Sequence, residues 1–381
     1  MNIKKLICGL FMLCTLFGSV KGPNTRALAE VSNRYEACSV STVQKGDVKV
    51  SSRIWELLFG KDNNDSSNQG EGPKGAGDQR LTLIPCGAIF GAKIKQPYVT
   101  VSDSMNNQTL RAGDIILGID GISVKTVSDV KSAISQAQSE CVKVKYKRDG
   151  NIFSSDIKLI TQDGGKKIGV TLRDGAAGIG TVTYINPITM EFGGLGHGIV
   201  DSESSELIEV SSGSVTGVIL GGVHRGEAGK AGELSGVLTD KCLGSVSQNT
   251  DCGLFGTLSD NRLMKNAPME IGYKGEIKTG EATILSTVKN NKTAEYKIEI
   301  TEIDLSSDGN KSFKIKVTDP VLIAETGGIV RGMSGSPIIQ NGRLIGAVTH
   351  VLINDPTMGY GIFIENMLNA SESARNELPA A

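Results

Sequence analysis

Histidine is scarce in this 381-residue chain, with only 3 present. A catalyst that needs an imidazole can draw only on His197, His224 or His350. Aromatic residues make up 4%, and no basic stripe is interleaved with them, which argues against nucleic acid as a partner. Neither sign of charge dominates: 40 Lys and Arg face 41 Asp and Glu, for a formal net charge of -1. The 7 cysteines include no C-x-x-C pair, so neither a zinc knuckle nor thioredoxin chemistry is indicated. Cys8 and Cys14 fall in an apolar leader, while a small loop closed by Cys242 and Cys252 in an oxidising compartment is an option that their spacing alone does not decide. No metal or organic cofactor is implied. Convincing amphipathic helices are missing from residue 166 until near the C-terminal end.

Glycine, by contrast, is abundant, at 48 of 381 residues, against a usual ~7%. It has no collagen-like period. It punctuates runs of Val and Ile, a composition of strands joined by tight turns.

Four segments follow from the composition. Residues 1–22 form a signal peptide or signal anchor: Lys4 and Lys5, an apolar stretch from Leu6 to Val20, then Lys21. Ser19-Val20-Lys21-Gly22 is a poor cleavage site, which favours retention as a transmembrane anchor. Residues 23–80 are an N-terminal region with an apolar patch around Trp55, ending in a flexible linker over 61–80. Residues 81–163 read as a compact module and residues 164–381 as a mainly β domain of many short strands, a barrel or sandwich. Within the module, Leu110-x-x-Gly113-Asp114-x-Ile116-x-x-Ile119-Asp120-Gly121 precedes a helix whose Val127, Val130, Ile134 and Ala137 share a face. This motif resembles a PDZ domain of the bacterial protease type. Such a domain adds a peptide strand to a sheet edge and seats its end in a backbone nest. The expected peptide-binding loop is Gly87-Ala88-Ile89-Phe90-Gly91 with the strand after it. The alternative is a structural spacer.

The chemistry concentrates in Gly332-Met333-Ser334-Gly335-Ser336-Pro337, a glycine-flanked serine on a loop feeding a strand. Glycines free the hydroxyl and let backbone N–H groups converge where an oxyanion would form. The expected donors are the N–H groups of Gly332 and Ser334. A serine nucleophile needs a base. His197, in Gly193-Gly194-Leu195-Gly196-His197-Gly198, is favoured over His224 beside Arg225 and over His350 in an apolar strand. The orienting carboxylate is expected at Asp319, which follows Phe313, Ile315 and Val317 on the inward face of a strand. Asp201 and Asp304 are reserves, and a turn cap before Pro320 is the plain alternative for Asp319.

The order of the two domains, the segment Phe192–Ile199 and the segment Thr326–Ile339 together resemble the stage IV sporulation protein B serine peptidase family of endospore-forming Firmicutes. The resemblance implies a trypsin-like double β-barrel peptidase with Ser334 as nucleophile, His197 as base and Asp319 as acid. It further implies export from the forespore into the space between two membranes. There the family cleaves itself near its N-terminus and then a membrane-bound sporulation regulator, which releases processing of a late mother-cell sigma factor. The expected partners are protein or peptide substrates, with the chain's own N-terminal segment as a PDZ ligand. The competing reading is a PDZ-based, non-catalytic scaffold of the spore envelope.

Overall fold

The protein is represented by a computed structural model that describes residues 80–376 except 106, 163 and 260. The expected leader (1–22) and nearly all of the N-terminal region and linker (23–80) lie outside the described residues. No helix among the described residues is long and apolar enough to cross a membrane.

The chain enters through β1 (Thr82–Pro85) and β2 (Ile89–Asp103). β2 shifts register between Lys95 and Thr100, and its two halves serve different cores. Phe90, Ala92 and Ile94 face one, and Val99 and Val101 face another. The second core belongs to the PDZ-like module: β3 (Ile115–Ile119), β4 (Ile122–Ser123), helix α1 (Val127–Gln136), β5 (Cys141–Arg148) and β6 (Asn151–Lys158). α1 starts in a capping box. Thr126 accepts the Asp129 N–H at 3.1 Å, and the Asp129 carboxylate accepts the Thr126 N–H at 2.9 Å. Its Val130, Ala133 and Ile134 pack onto Ile116, Ile119, Val142 and Val144. The motif's Asp114 is fully buried and forked by Arg148 of β5, with both contacts at 2.6 Å. That pairing is the bidentate geometry a buried carboxylate needs.

A small hairpin, β7 (Ile160–Gln162) and β8 (Gly165–Lys167), leads into β9 (Thr171–Ile185), which retraces β2 antiparallel from Asp103 back to Ile89. β10 (Glu191–Gly194), β11 (Ser212–His224), β12 (Glu233–Thr250) and β13 (Gly253–Leu258) follow. The pairing order β9-β10-β13-β12-β11-β2 closes through the β2–β9 ladder into a first barrel. β14 (Met269–Glu270) pairs with β1. A second closed barrel contains β15 (Gly280–Lys289), β16 (Lys292–Ile303), β17 (Phe313–Val317), β18 (Pro337–Gln340), β19 (Arg343–Leu352) and β20 (Asp355–Phe363). Helix α2 (Pro320–Thr326) links β17 to the serine loop, and α3 (Ile364–Asn376) ends the described chain. The β18–β19 hairpin turns on Asn341 (φ 52°) and Gly342 (φ 72°), the two left-handed residues that its Asn-Gly sequence supplies at low cost.

Two sequence expectations are corrected here. The loop Gly87–Gly91 is not a peptide groove but part of the first barrel and its seam. Residues 91–95 are hydrogen-bonded to β9 on one side and to β11 on the other. A strand with both edges paired cannot accept another strand. Phe90 is fully buried, edge-to-face with Phe192 at 5.9 Å between ring centroids. The Gly87 carbonyl accepts the Thr287 hydroxyl of the second barrel at 2.9 Å. A side chain at Gly87 would collide with Leu285 at 2.6 Å. In addition, Cys242 and Cys252 are free thiols and do not close a loop. Cys242 lies inside β12, which continues to Thr250. At ~3.3 Å per residue the two sit roughly 25 Å apart, far beyond bridging distance.

Phe90→Ala should cost about 3–5 kcal/mol of stability in urea unfolding, the scale for an aromatic deleted from a packed core. An exposed groove residue would change stability by only about 0.5 kcal/mol.

Candidate active site

Ser334 lies on the loop between α2 and β18, and nearly every backbone polar group of that loop is bonded. The Arg331 carbonyl accepts the Leu234 N–H at 2.8 Å. The Met333 N–H donates to Val330 and the Met333 carbonyl accepts from Ser336. The Gly335 N–H donates to the Val348 carbonyl at 2.7 Å. From the first barrel, the Thr181 N–H donates to the Ser334 carbonyl at 3.0 Å. The Thr181 hydroxyl donates to Gly332 and the Thr183 hydroxyl to Gly335, each at 2.8 Å. Among the described residues, the N–H groups of Gly332 and Ser334 donate to nothing in the protein. They are the two donors expected from the sequence for an oxyanion, and a buried loop rarely leaves such groups unused.

The two barrels touch at this loop with no room to spare. A Cβ on Gly335 (φ 94°) would sit 2.0 Å from the Thr181 carbonyl oxygen and 2.5 Å from the Leu195 nitrogen. Leu195 is two residues from His197, so the same contact brings the histidine loop against the serine loop. Left-handed turns at Leu195 (φ 65°) and Gly196 (φ 68°) present the imidazole. A Cβ on Gly196 would meet Thr349 at 2.9 Å, and the Thr349 carbonyl in turn accepts the Ser334 hydroxyl at 2.8 Å. Ser334 and His197 thus converge on the same turn of β19 from opposite barrels. His350 is the third member of the cluster, its ring 5.2 Å from that of His197 and tilted by 39°.

The electrostatics favour a neutral base. Burial lowers the pKa of His197, against a smaller upward pull from the Gly198 carbonyl. Burial, then the neighbouring His197 and Lys311, push His350 down to about 3. His197 Nδ1 lies 2.9 Å from the Gly198 carbonyl oxygen. A carbonyl can only accept, so Nδ1 carries the proton and the Nε2 lone pair is left available. That tautomer can take a proton from a serine hydroxyl.

The structure does not bring Asp319 to this histidine. Its carboxylate accepts the N–H groups of Val321 at 2.9 Å, Leu322 at 3.1 Å and Lys297 at 3.2 Å, as N-cap of α2. Phe313, Ile315 and Val317 are buried as their alternation predicts. The strand ends at Val317, however, and Asp319 with Pro320 at N1 opens a helix instead of continuing the inward face. The reserves are occupied too. Asp201 pairs with Arg173 and accepts the N–H groups of Glu203 and Ser204. Asp304 accepts from Ser306. His224 ends β11, exposed, opposite Glu233. No carboxylate pairs with His197 among the described residues, and the Gly198 carbonyl fixes its tautomer.

Thr181, Thr183 and Thr349 were not singled out from the sequence. Thr181 and Thr183 alternate within Gly180-Thr181-Val182-Thr183-Tyr184, and both are fully buried. Two buried hydroxyls on one strand face require partners, but nothing local says which.

A serine hydroxyl, a neutral imidazole and two uncommitted amide donors on one seam are the parts of an acyl-transfer site. Residues 164–368 match the SpoIVB peptidase S55 family, and residues 68–159 match the PDZ domain.

The chain belongs to the SpoIVB peptidase S55 family.

It is a PDZ-containing serine peptidase. No curated protein matches the chain. Among solved structures it is similar to the PDZ domain of the SdrC-like protein Lmo2051 of Listeria monocytogenes. Identity there is 31% over 21% of this chain and 90% of that one, with a TM-score of 0.18. It is also similar to the active form of the Rv3671c protease of M. tuberculosis, at 14% identity over 54% of this chain and 78% of that one, TM-score 0.33. At these TM-scores neither likeness bears on function.

Asp319→Asn separates cap from triad acid, because Asn caps a helix as well as Asp does. Hydrolysis of p-nitrophenyl acetate should survive this change without the ~10⁴-fold fall in kcat that follows loss of a triad acid. Asp319→Ala should lower stability by about 1 kcal/mol in urea unfolding.

Proposed function

We propose that this serine peptidase is a secreted endopeptidase of sporulation that trims its own N-terminal region and then cleaves a membrane-bound regulator. That cleavage would release late sigma-factor processing in the mother cell. The observation that supports the peptidase chemistry is the seam itself, where the Ser334 hydroxyl bonds the Thr349 carbonyl, Gly196 beside His197 packs against the Thr349 side chain, and the N–H groups of Gly332 and Ser334 are free. The cellular role is supported by membership in the family and by the apolar leader of residues 1–22. The site of action in this proposal is the forespore intermembrane space, with the chain anchored or released after self-cleavage.

In the chemical step the Ser334 hydroxyl turns from the Thr349 carbonyl toward His197 Nε2 and attacks the scissile carbonyl. Nε2 takes the proton. The oxyanion forms between the N–H groups of Gly332 and Ser334, and the imidazolium is held through Nδ1 by the Gly198 carbonyl. Nε2 then protonates the leaving amine, and water completes hydrolysis by the same route in reverse. The Ser334–Thr349 hydrogen bond makes the described conformation a resting one, in which the nucleophile's proton is not yet shared with its base. The PDZ module is proposed to hold a peptide end, the chain's own N-terminal segment being the first candidate. Residues 91–95 offer it no edge.

N-terminal sequencing of the purified full chain beside its Ser334→Ala form tests this reading. The parent should show an internal N-terminus that the mutant lacks. A mutant that trims itself in isolation would contradict it.

A further inference from the structure

The seam separates the loop's peptide groups into two kinds. Those with carbonyls at Gly332, Ser334 and Gly335 are grasped from the first barrel, by the Thr181 hydroxyl, the Thr181 N–H and the Thr183 hydroxyl in turn. The N–H groups of these same units are also bonded, to Val330, Val348 and Met333. The two alternate units, with carbonyls at Arg331 and Met333, are bonded only on the carbonyl side. They carry the free N–H groups of Gly332 and Ser334. The Arg331 and Met333 carbonyl bonds point the N–H of each planar unit the opposite way, and anchored neighbouring units oppose a flip by restricting the φ and ψ of the shared Cα atoms.

Thr181 and Thr183 are both fully buried, at 0% solvent accessibility, and their hydroxyls donate to the serine loop. They sit on β9, one strand from β10 and the histidine loop. One strand therefore sets the nucleophile loop, while its neighbour leads into the base.

We propose that Thr181 and Thr183 are positioning residues of the peptidase, whose hydroxyls reach across from the first barrel to lock the carbonyls beside Ser334 and so keep the oxyanion N–H pair formed. The proposal rests on the serine-peptidase reading of Ser334. It explains why buried hydroxyls sit between Ile179 and Ile185 along β9. Valine at 181 keeps the shape and the backbone N–H bond to Ser334 but leaves the Gly332 carbonyl without its donor, so that its plane is held only by the Met333 N–H bond to Val330.

The test uses the full chain and p-nitrophenyl acetate, with kcat, KM and melting temperature measured for Thr181→Val, Thr181→Ser, Thr183→Val and Ser334→Ala. The expected result for Thr181→Val is a fall in kcat of about 10- to 100-fold, the scale of a slightly misplaced catalytic group, with KM within about twofold. Thr181→Ser, which restores the hydroxyl, should recover most of kcat, whereas a purely packing role would not make serine better than the isosteric valine. A folded Thr181→Val with parental kcat overturns the proposal, as does a Thr181→Ser no better than the valine variant. If Thr181→Val does not fold, Thr183→Val carries the same comparison, and failure of both to fold overturns a positioning role. Hydrolysis that survives Ser334→Ala would instead sink the assignment of Ser334 itself, a different result from any threonine outcome.

Discussion

The contact between β9 and the loop of Ser334 is the constraint on which the site depends. One strand of the first barrel bonds three carbonyls, those of Gly332, Ser334 and Gly335, in a loop belonging to the second. The approach is so close that Gly335 has no room for a side chain. Without this seam the nucleophile and its base would belong to separate folding units, each closed on itself by its own barrel ladder. With it, the glycines around Ser334 acquire a physical purpose. They let two barrels meet at backbone distance, and they leave the N–H groups of Gly332 and Ser334 unclaimed on either side of Met333.

The same economy explains how the base is prepared. Burial disfavours the charged imidazole and leaves His197 ready to accept a proton. A backbone carbonyl, not a carboxylate, chooses its tautomer in the described conformation. A carbonyl stabilises an imidazolium less than an ionised acid would, and the serine hydroxyl is meanwhile turned toward Thr349. In the proposed mechanism both features belong to a resting conformation, and attack requires a rotation of the Ser334 side chain.

Some of this was legible in the sequence because the cause is local. The glycine-flanked Ser334, the glycine loop of His197, the Asn341-Gly342 turn and the N-cap of α1 each announce a conformation within a few residues. Other features were not legible. The inward parity of β2 changes between Ile94 and Val99, where its ladder to β9 shifts register, and only the pairing partners of residues 89–95 and 99–103 decide which core each half joins. Asp319 extends the period of Phe313, Ile315 and Val317, and that period outweighed the helix-start signal of an Asp followed by Pro. Strand parity says which way a residue points only while the strand lasts, and β17 stops at Val317. Thr181 and Thr183 gave no hint of their partners because those lie about 150 residues away along the chain.

The pairing of Ser334 with His197 across the two barrels is tested most directly by a fluorophosphonate probe, with the modified residue located by mass spectrometry. The account predicts a single adduct on Ser334 in the folded full chain, abolished by His197→Ala. An adduct on another serine, or labelling of Ser334 that proceeds equally well without the imidazole, would contradict it.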